Sequence, residues 1–414
     1  MVCRKSEEGV MRFHREGIGG VLMRNVVITS AYRTPIGTFG GVFKDLLPTD
    51  LIVPVLKRAA QDSQLENDAI DEVILGHCIQ RSDQPNTART AALLAGFSEA
   101  VPGYTIQRQC ASGMQAVISA AMQIQTGASD VIIAGGVEAM SSSPYLLKQY
   151  RWGQRMQHGE IRDSVWETLE DPIHHILMGE TAENLAERYS ISREQQDELA
   201  LLSHQRASYA LERGYFEQQI VPITVKNRKS ELEISSDENP RTGLTSEKLS
   251  SLKPAFRKNG TVTAGNASSL NDGAAALVLM AEEEAEKRGL MPLAKIAGYS
   301  VAGVDPKMMG IGPVPAIQNG LKKIGWKLEE ADLIEINEAF AAQYLSVEKE
   351  LKLNREITNV NGSGISLGHP VGCTGARILV SLVHELRRRQ KQKGIASLCV
   401  GGGMGSAVFV EAYS

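Results

Sequence analysis

The strongest constraint in this sequence is a unit that occurs twice. Cys110-Ala-Ser-Gly113 opens a stretch of helical character, and the apolar strand after it ends in Gly135-Gly136. Far along the chain, Gly372-Cys-Thr-Gly375 opens a second such helix, and its strand ends in Gly401-Gly402-Gly403. A helix–strand–glycine unit repeated at this distance implies duplication of a larger fold. Short apolar runs alternate with helical stretches around both copies, the pattern of α/β layers. In the first part, residues 25–30, 72–76 and 130–135 are expected strands and 111–126 an expected helix. In the second, 332–337, 357–360, 395–401 and 407–411 are expected strands, with helices over 338–351 and 376–391.

Between the copies, residues 140–270 differ in texture. They are more polar and carry Trp152 and Trp166, two of the three tryptophans. One helix is marked clearly there: Ser192 caps it, Gln195 completes a capping box and Gly214 stops it. This stretch is expected to be an inserted loop domain. The expected organisation is 23–139 plus 271–292 as one half, 140–270 as the insertion and 293–414 as the other half. Residues 1–22 mix Arg4, Lys5, Arg12 and Arg15 with Glu7, Glu8 and Glu16 and have no apolar stretch. They fit neither a secretory signal nor a mitochondrial presequence and are expected to be a disordered extension ahead of Met23.

Composition excludes several classes. With 414 residues the chain has room for two or three domains and a sizeable core. Lys plus Arg is 44 against 48 Asp plus Glu, a net charge of −4 that argues against a general nucleic-acid binder. No apolar run is long enough to span a membrane. Cys3, Cys78, Cys110, Cys373 and Cys399 are odd in number and scattered, which reads as free thiols in a reducing, cytoplasmic compartment. None has the paired spacing of a zinc site, and no metal is expected.

Several residues carry possible chemistry. Cys110 stands where a helix begins, and a helix N-terminus lowers a thiol pKa. A buried structural cysteine is the commoner fate of such a residue. Cys399 ends a strand before three glycines, so the backbone there passes close to something. His369 sits in Gly368-His-Pro370, a loop before a long helix, a better setting for catalysis than a helix face. Asn337, in Asn337-Glu-Ala-Phe340, is either a helix cap or a holder of a water or an oxyanion. The basic run 387–393 reads as a solvated helix end.

Taken together, these segments resemble one family, the thiolases. Cys110-Ala-Ser-Gly113, Gly135-Gly-Val-Glu-Ala-Met-Ser141, Gly260-Thr-Val-Thr-Ala-Gly-Asn-Ala-Ser268, Asn271-Asp-Gly273, Asn337-Glu-Ala-Phe340, Gly368-His-Pro370 and Cys399-Val-Gly-Gly-Gly403 match in the family's order. The resemblance runs from Met23 to Ser414. It implies two duplicated βαβαβαββ halves in five α-β-α-β-α layers with an inserted loop domain. It implies reversible condensation of acyl-CoA units, or thiolysis of a 3-ketoacyl-CoA such as acetoacetyl-CoA, in fatty-acid metabolism. In that mechanism Cys110 is the nucleophile, His369 its base and Cys399 the general acid/base. Asn337 holds a water, and the N–H groups of Cys110 and Gly401 bind the acyl oxygen.

The resemblance also implies that coenzyme A, a substrate and not a cofactor, lies along Arg241, Phe256, Ala264 and Ser268. Met178, Met309, Ala339 and Phe340 are then near the reacting end. A homodimer or homotetramer is implied. Two departures stand out: Leu177 replaces a histidine common before Met178-Gly179 in acetoacetyl-CoA enzymes, and Cys373 replaces a small residue. A ketoacyl synthase and a non-catalytic lipid-binding relative are the alternatives. Cys399 speaks against the first, and the presence of Cys110, Asn337, His369 and Cys399 together speaks against the second.

Overall fold

The computed structural model describes residues 2–5, 11–14, 23–226 and 230–413. Val2–Lys5 and Met11–His14 pair as two antiparallel strands. The expected disordered extension otherwise falls outside the described residues.

The strands that build the core are β1 (Val26–Arg33), β2 (Glu72–Gly76), β3 (Gly103–Ile106), β4 (Val131–Ala139) and β5 (Asn271–Ala281), then β6 (Ala294–Gly303), β7 (Leu333–Ile336), β8 (Lys393–Val400) and β9 (Met404–Ala412). They lie in one sheet in the order β7-β8-β9-β6-β1-β5-β4-β2-β3, with Gly37–Thr38 added at the start of β5. Within the sheet, the strands of the two halves pair where Ala294 and Lys295 of β6 lie beside Ile28 and Val27 of β1. Each half repeats one pattern. β5 runs antiparallel to both β1 and β4, and β4 is parallel to β2. Likewise β9 runs antiparallel to both β6 and β8, and β8 is parallel to β7.

The side-chain period of two sets the layers, because alternate residues of a strand face opposite sides. Ala274, Ala276, Val278 and Met280 of β5 face α1 (Pro48–Asp62) and α2 (Thr87–Leu94). Ala275, Leu277 and Leu279 face the other way, into a core shared with α3 (Ser112–Thr126). That core also takes α8 (Val371–Arg388) and, from the second half, Ala396, Leu398, Val408 and Val410. Phe409 and Ile395 face outward onto α6 (Pro313–Ile324) and α7 (Ala341–Leu351). The order is therefore helix, sheet, paired helices, sheet, helix. α3 and α8 are covered on both sides by sheet, so most of the residues of each are buried.

The insertion contributes α4 (Met178–Tyr189) and α5 (Arg193–Glu212). α5 has the expected caps: Ser192 Oγ accepts from the Gln195 N–H, and Gly214 takes φ +69° just past its end. Trp152 and Met156 are 91% and 98% exposed on this insertion.

Some expected elements differ. Residues 357–360 do not form a strand; Thr358 makes a single parallel bridge to Ile334. Asn359 takes φ +49°, and its side chain bonds both the N–H and the C=O of Ile336, replacing the ladder a strand would have supplied. The helix expected from residue 338 starts at Ala341, and the one expected from 376 starts five residues earlier, at Val371.

Candidate active site

Cys110 sits in a tight turn between β3 and α3. Gln109 takes φ +45°, a left-handed backbone that a non-glycine residue rarely adopts. Ser112 stabilises the turn: its hydroxyl accepts from the Arg108 N–H at 2.9 Å and donates to the Gln109 carbonyl at 2.7 Å. The nearby Gly401 N–H favours the thiolate of Cys110. Burial opposes it and dominates, so the thiol is pushed above its ordinary range. This corrects the expectation of a lowered pKa: α3 starts two residues later, and desolvation outweighs its end.

Cys399 is the seventh residue of β8 and is fully buried. Burial, and then the nearby Cys110, push its thiol up. After it, Gly402 and Gly403 both take φ +78°, a conformation open to glycine at no steric cost. That turn sets Gly401 beside Gln109 and Met178. Sequence and structure agree that the glycine run exists for a close approach.

His369 is 7% exposed and its position is tightly held. Its N–H donates to Asn271 Oδ1 at 2.9 Å. Its Nδ1 lies 2.6 Å from Thr374 Oγ1, whose own hydrogen goes to the Pro370 carbonyl. Nδ1 is therefore the donor, and the tautomer leaves the Nε2 lone pair for chemistry. Burial, and then Arg377, hold the imidazole pKa down at about 3, so the ring is neutral. Asn337 ends the segment after β7 with Nδ2 3.5 Å from the same Nδ1. Its buried Oδ1 has no partner among the described residues. It does not cap α7, whose N-cap is Phe340.

Met178, Met309, Ala339, Phe340 and Cys399 share one apolar cluster, with Phe256 packed against it. The Phe256 and Phe340 rings meet edge-on, 6.1 Å between centroids. Ser268 joins this group by donating its N–H to the Ala339 carbonyl at 2.9 Å. Arg241 and Ala264 stand outside it, exposed on the insertion. A cavity of about 400 Å³ opens beside Gly401, Gly402 and Met178, with Gln109, Thr168 and Glu170 in its wall. Cys373 is instead buried in the central core, its thiol pushed up to about 12.

Sequence reasoning missed the residues that hold these groups. Thr374 and Asn271 orient His369. Glu183 accepts the Thr261 and Val262 N–H groups and so anchors the segment that ends in Ser268. Glu138, buried on β4, was quoted in a motif but given no role. A lone acid in an otherwise apolar strand is the signal that could have found it. His175 pairs with Glu170 on the surface, and Arg388 and Arg389 of the basic run both pair with Glu385. No group of three or more possible metal ligands occurs among the described residues. No helix there is long and apolar enough to cross a membrane.

Comparison with known proteins agrees with this architecture. The family model described as "Thiolase, N-terminal domain" matches residues 26–283, and "Thiolase, C-terminal domain" matches 290–412. The beta-ketothiolase BktB of Cupriavidus necator is 48% identical, over 94% of this chain and all of that protein. An acetyl-CoA acetyltransferase of Escherichia coli is 48% identical over 94% of this chain and 99% of that one. Among solved structures, an acetyl-CoA acetyltransferase of Bacillus anthracis superposes with a TM-score of 0.94 at 70% identity, covering 94% and 99% of the two chains. The human mitochondrial 3-ketoacyl-CoA thiolase superposes with a TM-score of 0.92 at 44% identity, with the same coverage.

Proposed function

The chain belongs to the thiolase family and is an acyltransferase of it, and from that premise we propose how its own residues carry the reaction. In the thiolysis direction, His369 Nε2 takes the Cys110 proton and the sulfur attacks the 3-keto carbon of a 3-ketoacyl-CoA. The bond between C2 and C3 breaks, and its electron pair leaves with the acetyl-CoA fragment as an enolate. The Cys399 thiol protonates that enolate. The acyl group stays on Cys110 until coenzyme A, giving its proton to the Cys399 thiolate, attacks it and leaves as the shortened acyl-CoA, and Cys110 recovers its proton from His369. The N–H groups of Cys110 and Gly401 receive the developing oxyanion. Run backwards, the same steps condense two acyl-CoA units. Coenzyme A enters only as a substrate, and no further cofactor takes part.

One observation carries this reading: the strand end that bears Cys399 packs against the turn of Cys110, with Gly401 beside Gln109 and its N–H favouring the Cys110 thiolate. Nucleophile, oxyanion donor and second thiol are thereby joined in one place. With Nδ1 engaged by Thr374, His369 keeps its Nε2 lone pair free to accept the proton.

The substrate is read as acetoacetyl-CoA, with Leu177 as the residue that distinguishes this site from others. Leu177 immediately precedes Met178, whose sulfur lies beside Gly401. Coenzyme A is placed along Ser268, Phe256 and Phe340, with Arg241 and Ala264 toward its outer end. The inserted loop domain over 140–270 is its seat. Exposed Trp152 and Met156, and the sheet edge at β3, support a homodimer or homotetramer. Four free cysteines among the described residues support a reducing, cytoplasmic location.

Two measurements test the reading. Incubation with acetyl-CoA and mass spectrometry should find the acetyl group on the Cys110 peptide, and Cys110→Ala should abolish it together with turnover. Thiolysis of acetoacetyl-CoA should exceed that of a medium-chain 3-ketoacyl-CoA; faster turnover of the longer substrate would reject the short-chain assignment.

A further inference from the structure

Glu138 lies near the end of β4 and has no exposed surface. Its Oε2 accepts from the Gly372 N–H at 2.8 Å and the Cys78 N–H at 3.2 Å. Its Oε1 accepts from the Ile79 N–H at 3.1 Å and lies 3.3 Å from His77 Nε2. The His77 ring is fixed in turn by Thr87, 2.8 Å from Nδ1.

These partners come from both halves of the molecule. Gly372 is in the first turn of α8, three residues after His369. Its N–H is one of the donors a helix start leaves unpaired, and a carboxylate there also meets the positive end of the helix dipole. Cys78 and Ile79 belong to the segment after β2. Cys78 packs in one cluster with Val371, and Cys110 packs against that cluster. The Cys78 thiol donates to Gln109 Oε1 at 3.3 Å, in the residue just before Cys110. One buried anion therefore touches the start of the helix behind His369 and the support of the turn that bears Cys110.

The contact leaves no slack. A Cβ on Gly136 would lie 2.2 Å from the Gly372 carbonyl, and one on Gly113 would lie 2.8 Å from it. A Cβ on Gly372 would meet Val137, Cys78 and Glu138 at 2.7–2.8 Å. Glycine backbones bring the helix starts together, and the carboxylate bonds them there.

We propose that Glu138 is a positioning residue of the thiolase site, whose buried carboxylate holds His369 in reach of Cys110 by tying the first turn of α8 to the Cys78–Gln109 support. This rests on the catalytic roles read above for Cys110 and His369. The arrangement carries an electrostatic cost. Glu138 faces Cys110 and opposes its ionisation, as it does that of Cys78 and Cys373. The other ionisable groups around Cys110 are Cys399 from β8, Cys78 after β2 and, in the mechanism above, His369 before α8. A carboxylate is kept beside a nucleophile that it makes less acidic, because a neutral side chain cannot accept from every N–H at once.

Glu138→Gln separates alignment from charge. The expected result is a fall in kcat of about 100-fold, the scale of a roughly 1 Å misalignment. KM for coenzyme A should change by less than about two-fold, since no substrate contact is removed. Alkylation of Cys110 by iodoacetamide, followed on its own peptide by mass spectrometry, should shift to lower pH in Glu138→Gln. Glu138→Asp keeps the charge, so kcat should fall while the alkylation profile stays in place. Wild-type kcat in Glu138→Gln would overturn the proposal. So would a loss of activity that tracks loss of folded protein with an unmoved alkylation profile, or failure of both variants to fold. Full turnover by Cys110→Ala would instead reject the catalytic reading itself, whatever Glu138 does.

Discussion

At the scale of single residues, the site works by withholding water from groups that then need specific partners. Both Cys110 and Cys399 are pushed toward the thiol by burial, yet they are read as having different tasks. Cys110 has two backbone N–H groups favouring its thiolate, its own and that of Gly401, whereas Cys399 has only its own. Cys399→Ala should therefore still take up an acetyl group from acetyl-CoA, while carbon–carbon bond making and breaking stop. Acetyl transfer followed by mass spectrometry, beside a condensation assay, separates the two steps. A variant that still condenses would remove Cys399 from the mechanism. His369 makes a second prediction. The unfolded ring titrates near its ordinary pKa of roughly 6.5, but the folded ring only at about 3. Between those values the unfolded chain binds a proton that the native state refuses, so stability falls as pH drops below about 6.5. His369→Asn should lose less stability than wild type between pH 7 and 5, read by urea unfolding at each pH. Equal losses would mean that the folded ring accepts its proton normally.

At the scale of elements, the decisive contact is the crossing of α3 and α8. Each is the helix of one copy of the duplicated unit, and each is preceded by a residue of the site, Cys110 and His369. Their starts approach through Gly113, Gly136, Gly372 and Gly375 instead of through side chains. Gly136→Ala would place a methyl group 2.2 Å from a main-chain carbonyl that cannot turn away. The expected cost is about 1–3 kcal/mol, the range for overpacking a closed core, measurable in urea unfolding. Activity should fall with it, because the displaced carbonyl belongs to the first turn behind His369. The duplication thus makes one interface do two jobs: it joins the halves and it assembles the site.

At the scale of the whole molecule, a buried ion pair ties the insertion to the first half. Arg33 is fully buried on β1 and donates from Nη1 and Nη2 to the two carboxylate oxygens of Asp237, at 2.7 and 2.9 Å. Asp237→Ala leaves that guanidinium without its counter-ion and should cost about 3–5 kcal/mol of stability. A cost under about 1 kcal/mol in chemical unfolding would show that water replaces the carboxylate freely. Nothing in the local pattern pairs Arg33 with Asp237, which are far apart in sequence. The same division holds throughout. Apolar alternation and caps are local properties, so strands such as β1 and β4 and the helix α5 were legible from residue spacing. The motif residues Cys110, Asn337, His369 and Cys399 were legible as types, because nucleophiles and bases are few and each sat in a short motif in the family's order. What could not be read was the response of each group to its surroundings. Burial reversed the expected shift at Cys110, Asn359 ended a strand that its neighbours favoured, and Glu138, Thr374 and Asn271 became supports only once distant segments met. Spacing along a chain reports which faces are apolar; desolvation and hydrogen-bond geometry arise between segments, so packing alone decided them.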